Sequence, residues 1–231
     1  TDSYINLTGS TIQLTAVDGA ENLRITGNLD LNGAITEIGT LRVTGTSNIG
    51  ANVTTTGTQI YSGAVTLSAA VTLTTTSDVI TFSDTVNSAN STKRNLTLAT
   101  GGSSTEINFD GVVGGSNSVG AIAITGQLDL NAAITAATSV SVSGSSNIGA
   151  DVTTSGTQTY SGAITLSGAA RTLEGSTVQT TTINGAQNLT ITGNLDLDGI
   201  IGGSSAIGVF SVSGTSNLGA NVTTTGTQTY S

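Results

Sequence analysis

Carboxylates are the main acid–base side chains of this sequence, which has 14 Asp and Glu residues, five Lys and Arg, and no His or Cys. Without His or Cys, the common Ser-His and Cys-His nucleophilic pairs and thiolate metal sites are impossible. Two chemistries remain for the acids. A facing pair can hydrolyse a glycosidic bond, and a cluster can hold a hard cation. Asp30, Asp129 and Asp196 recur in similar contexts far apart in the chain. They are therefore expected on matching turns of separate units, not as a local pair. Asp196-Leu197-Asp198 is the one Asp-x-Asp, and strand alternation would point both acids to the same face. The bland reading is solvated strand residues; the sharper one is a weak metal site at Asp196 and Asp198. The glycine-rich nonapeptide that binds calcium in some repeat proteins is missing. The expectation is a chain that is not an enzyme and carries no cofactor.

Threonine offers a second kind of surface chemistry. Thr54 with Thr56, and Thr72 with Thr74, would point outward on stacked turns, and a flat Thr array is a route to ice binding. Thr is also the best polar strand former, and Ile38 would interrupt the array. Asn-x-Thr triplets such as Asn52-Val53-Thr54 and Asn95-Leu96-Thr97 are read as ladder or turn Asn, not as glycan acceptors. Asn48, Asn147 and Asn217 recur just before a Gly-containing corner and are expected to bond the backbone there. Lys93-Arg94, the only adjacent basic pair, reads as a solvated loop tip.

Repeats must position these residues. Ser47 to Gly63 reads SNIGANVTTTGTQIYSG, Ser146 to Gly162 reads SNIGADVTTSGTQTYSG, and Ser216 to Ser231 reads SNLGANVTTTGTQTYS. A second block precedes each copy: LRITGNLDLNGAITEIGTLRVTG, IAITGQLDLNAAITAATSVSVSG and LTITGNLDLDGIIGGSSAIGVFSVSG. All four tyrosines sit in a T-x-x-Y motif, Thr1 to Tyr4 included, so the chain is expected to begin and end at nearly one repeat phase. The units run roughly over 9–63, 103–162 and 175–231, with an irregular insertion over about 82–118.

A finer period lies inside. Gly27, Gly33, Gly39, Gly45, Gly57 and Gly63 sit on a six-residue grid, with Ala51 on the missing point. Between grid points lie short alternating runs such as Asn28 to Asn32 and Thr40 to Thr44. Alternation of period two means a strand with one face buried, and Gly gives a corner its backbone freedom. Three strands and three corners close one turn of about 18–20 residues, and successive turns stack in parallel about 4.8 Å apart. The predicted fold is an all-β parallel β-solenoid, continuous over 1–231. A hairpin meander would need Asn-Gly or Asp-Gly turns more often than they occur. The grid predicts an inner aliphatic ladder of Ile35, Val53 and Val71, and an outer ladder of Thr36, Thr54 and Thr72.

Composition agrees. Hydrophobic residues are 36% and alternate with Thr and Ser, and Pro is absent, which argues for ladders over disorder. Aromatics are 3%, so the core must be narrow. A net charge of −9 speaks against nucleic-acid binding, which needs a basic surface, and disfavours anionic lipid. No apolar run reaches the roughly 18 residues of a membrane span.

The runs NLTITGNLDLDG, SNIGANVTTTGTQIYSGAVTL and SDVITFSDTVNSA resemble the repeats of filamentous-haemagglutinin-like adhesins and related giant bacterial β-strand-repeat surface proteins. The resemblance implies a right-handed β-helix, export, and adhesion or fibre formation at the bacterial cell surface. The strict six-residue grid is shared with left-handed hexapeptide helices and leaves the hand open. The expected partners are further repeats or other copies, end to end, and a host-cell or glycan surface. The expected role is a stalk or fibre segment, with a self-assembling fibre or sheath subunit and an ice-binding solenoid as alternatives.

Overall fold

The computed structural model describes residues 3–101 and 105–231. Thr1 and Asp2 of the T-x-x-Y motif, Gly102, and the start of the unit expected from 103 lie outside them. The described chain is all-β and coils into a solenoid of about 12 turns. Neighbouring strands pair in parallel. Each turn supplies one strand to each of three walls. Tyr4–Leu14 and Asn22–Leu31 each span walls 1 and 2 across a corner, Ile35–Ile38 lies on wall 3, and Leu41–Val43 returns to wall 1.

The inward positions form continuous columns. On wall 1, Ile25, Val43, Tyr61, Phe82, Phe109, Leu130, Ile148 and Leu166 follow one another rung by rung. Wall 2 carries Leu29, Ser47, Val65, Val86, Val113, Ile134, Val152, Leu173, Ile191 and Val212. Wall 3 carries Val17, Ile35, Val53, Leu73, Leu98, Ile124, Val142 and Tyr160. Most of these side chains are wholly buried, each stabilising the tube by about 1.5–3 kcal/mol relative to exposure. The few aromatics concentrate in one pillar. Tyr61 stacks on Phe82 at 5.4 Å and Phe82 on Phe109 at 5.1 Å, the rings nearly parallel.

Corners are locked by side chains. The Asn28 carboxamide oxygen accepts the Thr46 amide one turn on at 3.0 Å, and Asn194 does the same for Thr215 at 3.0 Å. Asn52 likewise takes the Thr72 amide and Asn95 the Ala121 amide. These Asn residues thus serve as ladder Asn. At Gly27, with φ at 129°, a β-carbon would sit 1.8 Å from the Gly9 carbonyl oxygen, and Gly193 repeats that relation to Gly175. Only Gly permits this approach.

Turn length varies more than the grid predicts. Ile35 does stack on Val53, but Val53 then faces Leu73 and Thr54 faces Thr74. Val71 and Thr72 are therefore not the next rungs of the inner and outer ladders. That turn takes 20 residues, because Val71–Thr75 extends two residues further toward the corner than Val53–Thr55. An even insertion preserves the inward–outward alternation, so Val71 is still buried and pairs with Leu96. Thr36 precedes a bulge in which Glu37 adopts a left-handed φ of 58°. The bulge turns Ile38 inward, where it is buried, so Ile38 does not interrupt an outer array. Across the irregular stretch the turn grows to 27 residues and the rungs stay in register, Thr81 opposite Asn108.

Candidate functional surfaces

Three arrangements recur with the repeats: a buried Gln–Tyr corner, an outward Asp–Asn pair, and rows of Thr. The corner is built by the V-T-T-x-G-T-Q-x-Y run. Gln59 points inward and is wholly buried. Its amide donates to the Thr74 carbonyl at 2.8 Å and to the Val53 carbonyl at 3.4 Å, and its oxygen accepts the Tyr61 hydroxyl at 3.0 Å. Gln158 repeats this with the carbonyls of Glu174 at 2.7 Å and Val152 at 3.1 Å and with the Tyr160 hydroxyl at 3.1 Å. Thr55 and Thr154 turn inward beside them and donate to Gly57 and Gly156. Burial pushes the Tyr61 and Tyr160 hydroxyls far above the usual tyrosine value. This network went unread in the sequence, although a Gln two residues before a Tyr in every copy is its signal.

Tyr4 does not belong with these tyrosines. It pairs with Asn22, while Leu7 takes the inward slot below Ile25. Tyr4 therefore does not share the inward slot of Tyr61 and Tyr160.

The recurring acids sit on the outside, held by amides from adjacent rungs. Asn48 donates to Asp30 at 2.8 Å, Asn147 to Asp129 at 2.7 Å and Asn217 to Asp196 at 2.8 Å. These three Asn side chains thus bind carboxylates, not the corner backbone. Gln13 adds a bond to Asp30, and Gln179 one to Asp196 at 3.3 Å. The Asn48 and Gln13 amides lower the Asp30 carboxyl below its usual value of 3.8, against the opposing effect of burial. Asp196 thus spends both oxygens on amides, and Asp198 lies exposed just beyond the end of Leu189–Leu197. Among the described residues, no three acids come close enough to hold a metal ion together.

The copies are not displayed on one side. Asp30 pairs with Asn48 on wall 2, Asp129 with Asn147 on wall 1, and Asp196 with Asn217 on wall 3. The three inward tyrosines follow suit: Tyr61 on wall 1, Tyr160 on wall 3 and Tyr230 on wall 2. Neither repeat spacing is a whole number of turns, so each copy is rotated by one wall from the last.

The Thr rows are short. Thr54 is followed outward by Thr74 and then Ala99, and Thr72 by Thr97 and then Ala123. Thr36 spends its hydroxyl on Asp18, at 3.0 Å. Lys93 sits in an exposed loop, and the neighbouring Asn90 closes a turn by accepting the Thr92 amide.

No family model matches the chain, and neither the curated proteins nor the solved structures contain a match to it.

Proposed function

We propose that this chain is a non-catalytic stalk or fibre segment of a bacterial cell-surface or secreted adhesin, acting outside the cell. The observation that carries this reading is the locking of each turn to the next. Backbone ladders, corner Asn side chains and the buried Gln all reach one rung onward. A rod built this way resists bending and shear along its whole length. The described Phe residues and Tyr61 and Tyr160 are inside, so the walls present Thr, Ser, Asn and Asp in place of the aromatic platforms that favour sugar stacking. Contact with a host-cell or glycan surface is then a task for polar groups or for distal parts. The brevity of the Thr rows gives ice binding little support.

The test is to display the segment on a bacterial surface, intact and with six turns deleted in register. A shorter projection by electron microscopy and lower retention on host cells under flow are expected of the deletion. Equal retention at both lengths would sink the stalk reading.

A further inference from the structure

We propose that Arg24 and Arg42 form a binding site for a tetrahedral oxyanion, sulfate or phosphate, taken as the free anion or as an ester on a polymer. The two arginines face each other in register on consecutive rungs of wall 1, and both are exposed. Rung spacing holds the side-chain origins about 4.8 Å apart, close enough for both guanidinium forks to reach one anion. Like charges set directly opposite are unfavourable in a sheet. Among the described residues neither arginine has a hydrogen-bond or ion-pair partner to relieve that repulsion. In a chain with five basic residues and a net charge of −9, that pairing is unexpected.

The repeats supply an internal control. The outward column Arg24, Arg42, Ile60 has equivalents in Ala123, Ser141, Thr159 and in Thr190, Ser211, Thr229, each in the same register. Small neutral residues satisfy the fold at the other two copies, so packing does not require arginine at the first. What the pair adds is two guanidinium forks carried on neighbouring rungs, groups whose geometry matches sulfate and phosphate oxygens. This site is independent of the stalk reading, since a solenoid serving any other purpose would hold the same anion.

The test is calorimetric titration at low ionic strength with inorganic sulfate, inorganic phosphate, dextran sulfate and unsulfated dextran. Saturable binding of at least one anionic probe, and none of unsulfated dextran, is expected. Binding of the inorganic ions identifies the free anion as sufficient; binding of dextran sulfate alone identifies the ester. Arg24→Ala or Arg42→Ala should weaken binding by about tenfold or more, and the double variant should abolish it. Arg42→Lys keeps the charge without the fork and should restore only part. Melting curves confirm that each variant folds, as the equivalent residues Ala123 and Ser141 lead one to expect. Failure of every anionic probe to bind, or equal binding by the double variant, would overturn the proposal.

Discussion

Gln59 and Tyr61 stand two residues apart on one strand and meet inside the tube, the tyrosine hydroxyl donating to the glutamine oxygen at 3.0 Å. The pair closes a polar network at a corner where a purely aliphatic core would leave the carbonyls of Val53 and Thr74 without this donor. Replacing Gln158 with Leu should therefore cost about 2–4 kcal/mol, because buried acceptors and a phenol lose their partner. Gln228→Leu is a partial control: the bonds to the Val222 carbonyl and from the Tyr230 hydroxyl recur there, but the bond to a carbonyl one rung onward does not and the residue is exposed, so the cost should stay below about 0.5 kcal/mol. Urea unfolding of the two variants checks this.

The buried tyrosines make the rod sensitive to alkali. Their folded values are raised, so below about pH 10 both states keep the proton and stability is unaffected. Above it the unfolded chain loses protons that the folded chain retains, and stability falls by up to about 1.4 kcal/mol per pH unit for each phenol. Thermal melting should show a steep decline above pH 10. Tyr160→Phe should flatten that decline while lowering stability at neutral pH by about 1 kcal/mol through the unpaired Gln158 oxygen.

Asp30 acts at the opposite end of the pH scale. Its folded value is lowered by the Asn48 and Gln13 amides. Its contribution is thus complete above the usual value of 3.8 and is lost as pH falls through the folded value. Carboxyl titration by NMR should find the midpoint below that value, and Asn48→Ala should move it back up. An unmoved midpoint would remove the Asn48 bond as the cause.

Backbone strain gives a pair of opposite predictions. Gly27→Ala should cost about 2–4 kcal/mol, since its β-carbon would run into the Gly9 carbonyl in a conformation alanine disfavours. Glu37→Gly should stabilise by about 0.5–1 kcal/mol by relieving a left-handed residue. Denaturation midpoints of both variants decide the matter.

Ser47 and Ser146 occupy inward slots with buried hydroxyls that have no hydrogen-bond partner among the described residues. Ser→Ala at either site should be neutral or stabilise by about 1 kcal/mol, the desolvation cost of an unpaired hydroxyl. A loss larger than that would mean the hydroxyl bonds something not seen at its wall.

Local chemistry made the solenoid legible in the chain itself. Alternation marks each strand because one face must be dry, and Gly and Asn mark corners because Gly fits the conformation and a short carboxamide, or the carboxylate of Asp151, reaches the next amide. Those rules act over a few residues, so they place Ile35 over Val53 correctly. They fail at Val71 and Thr72, where two extra residues enter a turn without disturbing any local pattern. Which residues stack depends on the summed length of a whole turn. For the same reason the repeats do not reveal that Asp30, Asp129 and Asp196 end on three different walls. Closure of the tube decides azimuth and register, because inward side chains and backbone ladders must be satisfied across turns together, and no segment carries that information alone.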